Sequence, residues 1–259
     1  TFTVGSGNAN PISLSSIAGT LGGASSNITI NTSGAVTVAG SIGTDIGTLT
    51  ITNSGGTTFS STVGATTVTL TNTTGTIAFN GALTATTLNT AAQAYNVALN
   101  ASTGTITNAV TFSNTGTVTL GTSGGTLAFT GGVVATAPSA VTVNGTVTAA
   151  GTGVITLGDS DTGVAIASNA TIGGTSTGAI TLGAATLVDG ATLTVGTGIA
   201  NAISLSSVTG TASGTASNLT IYTTGAVTIG GAIGTDIGTI TITNSGGTTF
   251  SSTVDAATV

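Results

Sequence analysis

Residues Gly43 to Val63 read GTDIGTLTITNSGGTTFSSTV, and residues Gly234 to Val254 read GTDIGTITITNSGGTTFSSTV, with Ile240 in place of Leu49 as the single change. Within the stretch, TLTIT alternates hydroxyl and aliphatic side chains with period two, as a strand with one buried face does. Asn53-Ser54-Gly55-Gly56 has the composition of a turn. The copy belongs to a longer one. Thr1 aligns with Thr192 and Val68 with Val259 without a gap, an offset of 191 residues, and about seven positions in ten are identical. Exchanges such as Ile17 to Val208 and Val38 to Ile229 refill interior slots with similar volumes. A duplication of this length marks a solenoid block: residues 1–191 form one block, residues 192–259 open a second, and together they make one continuous β-solenoid.

The same alternation runs through TTVTLTN, GTVTLG and TLTVG, separated by TNTTG, TSGG, GDSDTG and GGTSTG, which are turn compositions. The expected fold is all-β, a parallel β-solenoid with coils of about 16–25 residues carrying two or three short strands each. Phe59, Phe79, Tyr95, Phe112 and Phe129 follow one another at 20, 16, 17 and 17 residues. That spacing predicts one inward ring per coil, stacked on successive coils about 5 Å apart. A β-sandwich of hairpins would space aromatics similarly, but two-residue hairpin signals are scarce, with Asn80-Gly81, Asn144-Gly145 and Asp189-Gly190 as the main candidates. Pro11 and Pro138 are expected outside the paired strands, because proline lacks the ladder donor.

Composition narrows the function. The 259 residues include no Lys, Arg, His, Cys, Met or Trp, and the six acidic residues give a formal net charge of −6. General acid–base catalysis mostly uses His, Glu or Lys, a Ser or Thr nucleophile needs a base beside it, and zinc sites need His or Cys, so with most of the usual catalytic side chains missing the chain is read as a non-enzyme without cofactor. Nucleic acid as a partner would require cations to neutralise phosphate. The 39 % hydrophobic content is spread over short alternating segments, and no apolar run is long enough to span a bilayer as a helix, so no membrane insertion is expected. The chain opens at Thr1, so a targeting segment, if the protein is exported, is expected upstream.

Four motifs carry candidate chemistry. Asp159-Ser160-Asp161 places oxygen ligands on alternate residues like the start of a calcium loop, but no Glu exists to complete one, so the pair reads as a solvated turn. Asn-X-Ser/Thr triplets begin at Asn27, Asn31, Asn72, Asn100, Asn144, Asn169 and Asn218, which makes them formal glycan acceptors in a chain where Thr is abundant. Asn53, Asn72 and Asn244, at strand ends, are expected to form amide ladders at coil corners. Thr-X-Thr recurs at Thr48 and Thr50, Thr67 and Thr69, Thr192 and Thr194, and Thr239 and Thr241. On a strand both hydroxyls share a face, and a flat stack of such strands orders water as ice-binding solenoids do.

GTIAFNGALTATTLNT (75–90), AAQAYNVALN (91–100) and SGGTTFSSTVGATTVTLTN (54–72) resemble the degenerate repeats of large bacterial surface and secreted proteins of the filamentous-haemagglutinin type. The resemblance covers most of residues 34 to 259. It implies a right-handed parallel β-helix and an exported, elongated adhesin or fibre, secreted or held at the cell surface. The nearest stretch to the Asn-Pro-Asn motif of that family's secretion domain is Asn10-Pro11-Ile12. The expected function is therefore a structural or adhesive fibre, with ice binding through the Thr-X-Thr faces as the alternative. The expected partners are cell-surface or matrix components and more of the same protein. Because an uncovered solenoid turn exposes a ring of unpaired strand edges, both end turns are expected to pair with continuing chain or with further copies, head to tail, in a filament.

Overall fold

A computed structural model describes all residues except Leu21, Thr44, Ala212 and Ser213. The chain is an all-β parallel solenoid of about 12 turns, without a helix among the described residues. Each turn offers three strand positions, here named the first, second and third face. The second face stacks Ile12–Leu14, Val36–Val38, Thr57–Phe59, Thr76–Phe79, Asn96–Leu99, Thr117–Leu120 and Ala140–Val143 in unbroken parallel register. The first face begins with Phe2–Val4, Ser26–Asn31 and Ile46–Asn53, and higher up carries Val133–Ala135, Ile155–Leu157 and Ile180–Leu182. The third carries Thr126–Phe129, Thr146–Ala149, Ala170–Gly174 and Thr192–Val195. Val63–Leu70 and Leu83–Thr90 run from the third face around a corner onto the first without a break. Pro11 and Pro138 both lie in corners, outside the strands.

Strand alternation becomes packing because each inward residue rests on the same position of the next turn. One interior column runs Phe59, Phe79, Leu99, Leu120, Val143, Ile166 and Leu187, and all seven are at most 3 % exposed. Phe59 and Phe79 stack with centroids 4.8 Å apart and planes 11° from parallel. All five aromatics of the expected series are buried, but they do not form one stack on successive turns. Phe112 follows the first-face strand Val110–Thr111, and Phe129 lies on the third face of the same turn; the two meet edge to face at 6.3 Å and 77°. Tyr95 sits at a corner, its hydroxyl donating to the Leu70 carbonyl at 3.2 Å and accepting from the Ala91 N–H at 3.0 Å. Burial pushes its phenol above the usual 10.0, so it remains a neutral donor. The reason for the departure is arithmetic: rings 16 or 17 residues apart fall short of a full turn and drift around the interior.

The corners solve a polar problem. A chain turning inside a solenoid leaves carbonyls that the strand ladder does not reach. The Thr32 hydroxyl lies 2.6 Å from the carbonyl oxygens of both Asn8 and Asn10, one turn back, and accepts from the Gly34 N–H at 3.0 Å. Asn114, Thr162, Ser176 and Asn201 reach back to carbonyls of the preceding turn in the same way. The expected amide ladder of Asn53, Asn72 and Asn244 is not what fills the corners: Asn72 and Asn244 are exposed, and Asn53 is half-buried. The following residue turns inward instead: the period-two alternation that buries Ile51 and Leu70 breaks at the corner, where two outward residues precede buried Ser54 and Thr73.

The duplicated sequence keeps this local structure but changes face. Thr223, equivalent to Thr32, lies 2.8 and 2.6 Å from the carbonyls of Ile199 and Asn201 and accepts from Gly225 N–H. Asp45 and Asp236 share a left-handed φ of 65°. Yet Phe2–Val4 and Ser26–Asn31 stand on the first face, whereas their equivalents Thr192–Val195 and Ser217–Tyr222 stand on the third. Likewise Ile12–Leu14 and Val36–Val38 are second-face strands, and Ile203–Leu205 and Val227–Ile229 are first-face strands. The 191-residue offset thus spans eight full turns and two further faces.

Replacing Phe79 by Ala removes a fully buried ring and should cost about 3 to 5 kcal/mol. Because contacts reach only neighbouring turns, hydrogen exchange should accelerate around residues 57–99 and stay unchanged beyond residue 180. Thr223→Val should cost about 1 to 3 kcal/mol in thermal unfolding by stranding the carbonyls beneath it, while Thr223→Ser should retain most of the stability.

Candidate functional site

Outward positions are as regular as inward ones. On the third face a single column of threonines, Thr126, Thr146, Thr171, Thr194, Thr220 and Thr241, rises through six successive turns. On the first face Thr29, Thr50 and Thr69 do the same. Where strands are longer, the column becomes two. Thr48, Thr67 and Thr87 stand beside Thr50, Thr69 and Asn89 in turns 3 to 5, and Thr192, Asn218 and Thr239 stand beside Thr194, Thr220 and Thr241. Neighbouring rungs are about 4.8 Å apart and the two columns about 6.7 Å apart.

The eight threonines proposed from sequence therefore fall into two groups. Thr48, Thr50, Thr67 and Thr69 are brought together on the first face, and Thr192, Thr194, Thr239 and Thr241 on the third. Asn27 and Asn218 extend the two arrays, and each amide oxygen accepts the backbone N–H of the next threonine, Thr48 at 2.9 Å and Thr239 at 3.1 Å. The amide oxygen of Asn169 accepts the Thr192 N–H at 2.9 Å in the same way, so three sequons, at Asn27, Asn169 and Asn218, stand inside the arrays. Strand periodicity identifies the same-face pairs but not their stacking, because turn length varies and the register follows only from the pairing.

Charge lies elsewhere. Asp45, Asp159, Asp161 and Asp189 sit in the bends and turns between strands, and Asp236 lies at the register shift inside Ile233–Thr243. Asp255 lies in Val254–Thr258, where that strand crosses from the second face to the third. Asp159 Oδ1 accepts the N–H groups of Asp161 and Thr162, both at 2.9 Å, so the carboxylate closes its own turn. These two bonds hold its carboxyl below the ordinary 3.8, since they favour the charged form. Among the described residues no cluster of three or more potential metal ligands exists.

One feature escapes the sequence reading. Where Val63–Leu70 and Leu83–Thr90 bend from the third face onto the first, the outer surface forms an open furrow of about 530 Å³, lined by Gly43, Gly64, Ala65, Thr84 and Thr86, with Asp45 at its edge. The small residues at the bend make it. The sequence signal is the length of VGATTVTL, eight strand residues too many for one face. Its lining includes neither an aromatic ring nor a cation.

The Asp159 carboxyl should titrate below 3.8 in a carboxyl-detected NMR titration. Its contribution to stability is complete above the ordinary carboxyl value and is lost as the pH falls through the lower folded value; Asp159→Asn should remove that acid-side dependence. No family model, no curated protein and no solved structure matches the chain.

Proposed function

We propose that the protein is a non-enzymatic structural or adhesive rod, an elongated β-solenoid segment of an extracellular fibre or larger repeat array. The observation that carries this reading is the unbroken turn-upon-turn ladder, which over about 12 turns gives a length on the order of 55 Å at roughly 4.8 Å per turn. The resemblance of residues 34 to 259 to filamentous-haemagglutinin-type repeats adds export and the cell surface to the reading. Axial assembly uses a contact the chain already makes. The second block opens on the turn beneath it through an ordinary ladder step, Ala170–Gly174 against Thr192–Val195. Continuation of the array, or head-to-tail pairing of copies, repeats that step, and a heterologous contact of this kind propagates without closing. Electron microscopy of the native material tests it: filaments or rods of uniform width are expected, and compact particles no longer than one chain would overturn the fibre reading.

A second reading, ice binding, draws on the in-register double columns of threonine on the first and third faces. Freezing-point measurements on the pure protein test it. Thermal hysteresis abolished by Thr50→Lys or Thr220→Lys would establish this reading, and its absence in the unaltered chain would remove it.

A further inference from the structure

Asn80-Gly81, Asn144-Gly145 and Asp189-Gly190, which read in the sequence as hairpin signals, all fall at corners between the second face and the third. In such pairs a side-chain carbonyl stands next to a main-chain nitrogen that no Cβ shields. The corners treat the three differently. Gly190 N–H donates to the Thr215 carbonyl at 2.7 Å. Gly145 is buried and Asn144 half-buried, and the carbonyl oxygens of Thr122 and Gly125 stand 2.6 Å from where a Cβ of Gly145 would be. Asn80 is exposed, and the Gly81 N–H has no hydrogen-bond acceptor among the described residues. Gly40, at the same corner two turns below, gives its N–H to the Ser15 carbonyl.

Asn100 stands one turn above, and its Nδ2 donates to the Asn80 Oδ1 at 3.2 Å. We infer that Asn80-Gly81 is a self-modification site, where the folded rod converts asparagine to aspartate or isoaspartate with water as the co-reactant and Asn100 as the donor to the reacting carbonyl. The Gly81 nitrogen, losing its proton to hydroxide, bonds to the Asn80 Cγ. The Cγ–Nδ2 bond breaks, and that nitrogen leaves as ammonia with a proton from water. Water then opens the five-membered imide at either carbonyl. Negative charge that develops on Oδ1 during the attack meets the Asn100 N–H, which acts as a preorganised oxyanion donor. Gly81 is required by the corner itself, because a Cβ there would overlap the Ser61 carbonyl carbon. The close stacking that demands glycine thus leaves the neighbouring amide open to attack. The product adds one carboxylate to the six of the chain, beside an amide that can still donate to it. The inference stands on this corner, whichever role the rod serves.

The test is peptide mapping by mass spectrometry after the folded protein has stood in warm, mildly alkaline buffer made with heavy-oxygen water. The chain has no Lys or Arg, so thermolysin takes the place of trypsin. Label should enter at residue 80 about tenfold faster than at residue 144, a difference set by exposure and by the Asn100 donor, and Asp189 should stay unlabelled. In urea the corners are gone, and Asn80 and Asn144 should convert at similar rates. Asn100→Ala should slow the folded chain several-fold and leave the rate in urea unchanged, while Asn100→Gln, which keeps an amide donor, should recover part of the loss. Asn100→Ser serves in place of Asn100→Ala if circular dichroism shows the alanine variant unfolded. An Asn80 that stays intact in the folded protein, or converts no faster than Asn144, would overturn the site. A folded variant lacking the Asn100 amide that reacts as fast as the parent would remove Asn100 from the step.

Discussion

Vertical alignment of inward side chains is the constraint on which the rest of this molecule depends. A turn of two or three short strands cannot bury its own apolar edge, so its stability comes from resting on the turn below. Residue pairs such as Phe59 on Phe79 and Val97 on Val118 are the units of that support. The turns themselves are uneven, from 19 residues between Leu49 and Val68 to 26 between Phe2 and Ile28. The strands nevertheless stay in register because the corners absorb the difference. Variation in length is thereby confined to loops, where it changes surface shape without disturbing the column.

Absorbing that difference has a polar side. Each corner brings backbone carbonyls inward, and a buried hydroxyl or amide from the next turn satisfies them, as Thr32, Ser176 and Thr223 do. The glycine two residues on is part of the same device. A Cβ at Gly34 would come within 2.6 Å of the Asn10 carbonyl, and one at Gly225 would overlap the carbonyl oxygen of Asn201. The small corner residue therefore lets two turns approach closely enough for the hydroxyl to reach both carbonyls. Hydrophobic columns on the faces and hydroxyl rungs at the corners are two answers to one stacking requirement.

Much of this is legible in the chain before the coordinates, and what is not has a common cause. Period-two alternation identifies the strands, turn composition identifies the corners, and the near-identical duplication of GTDIG…SSTV identifies the solenoid. Burial of Phe59, Phe79, Tyr95, Phe112 and Phe129 follows from the same pattern. Their path around the interior does not, because it depends on residues per turn, a quantity that varies locally. Register fails for the same reason at the corners, where the inward partner is Ser54 or Thr73 and not the Asn before it. The face occupied by the second block is likewise hidden: it requires counting strand positions, not residues, across all 191 intervening steps.

That last feature bears on what duplication accomplishes here. A function exercised on a plane gains only from residues that share the plane, and copying the block moves its threonine array from the first face to the third. Duplication therefore leaves the first-face array as it was and lengthens the third-face column that Thr126, Thr146 and Thr171 of the first block begin. A function exercised along the axis gains from every added turn irrespective of its facing, since each turn extends the ladder by the same step. It also gains evenness: three blocks carry any patch through all three faces, so a long array presents the same chemistry around its circumference. The offset of eight turns and two faces thus turns each block's outward threonines to a different face while every turn adds the same axial step.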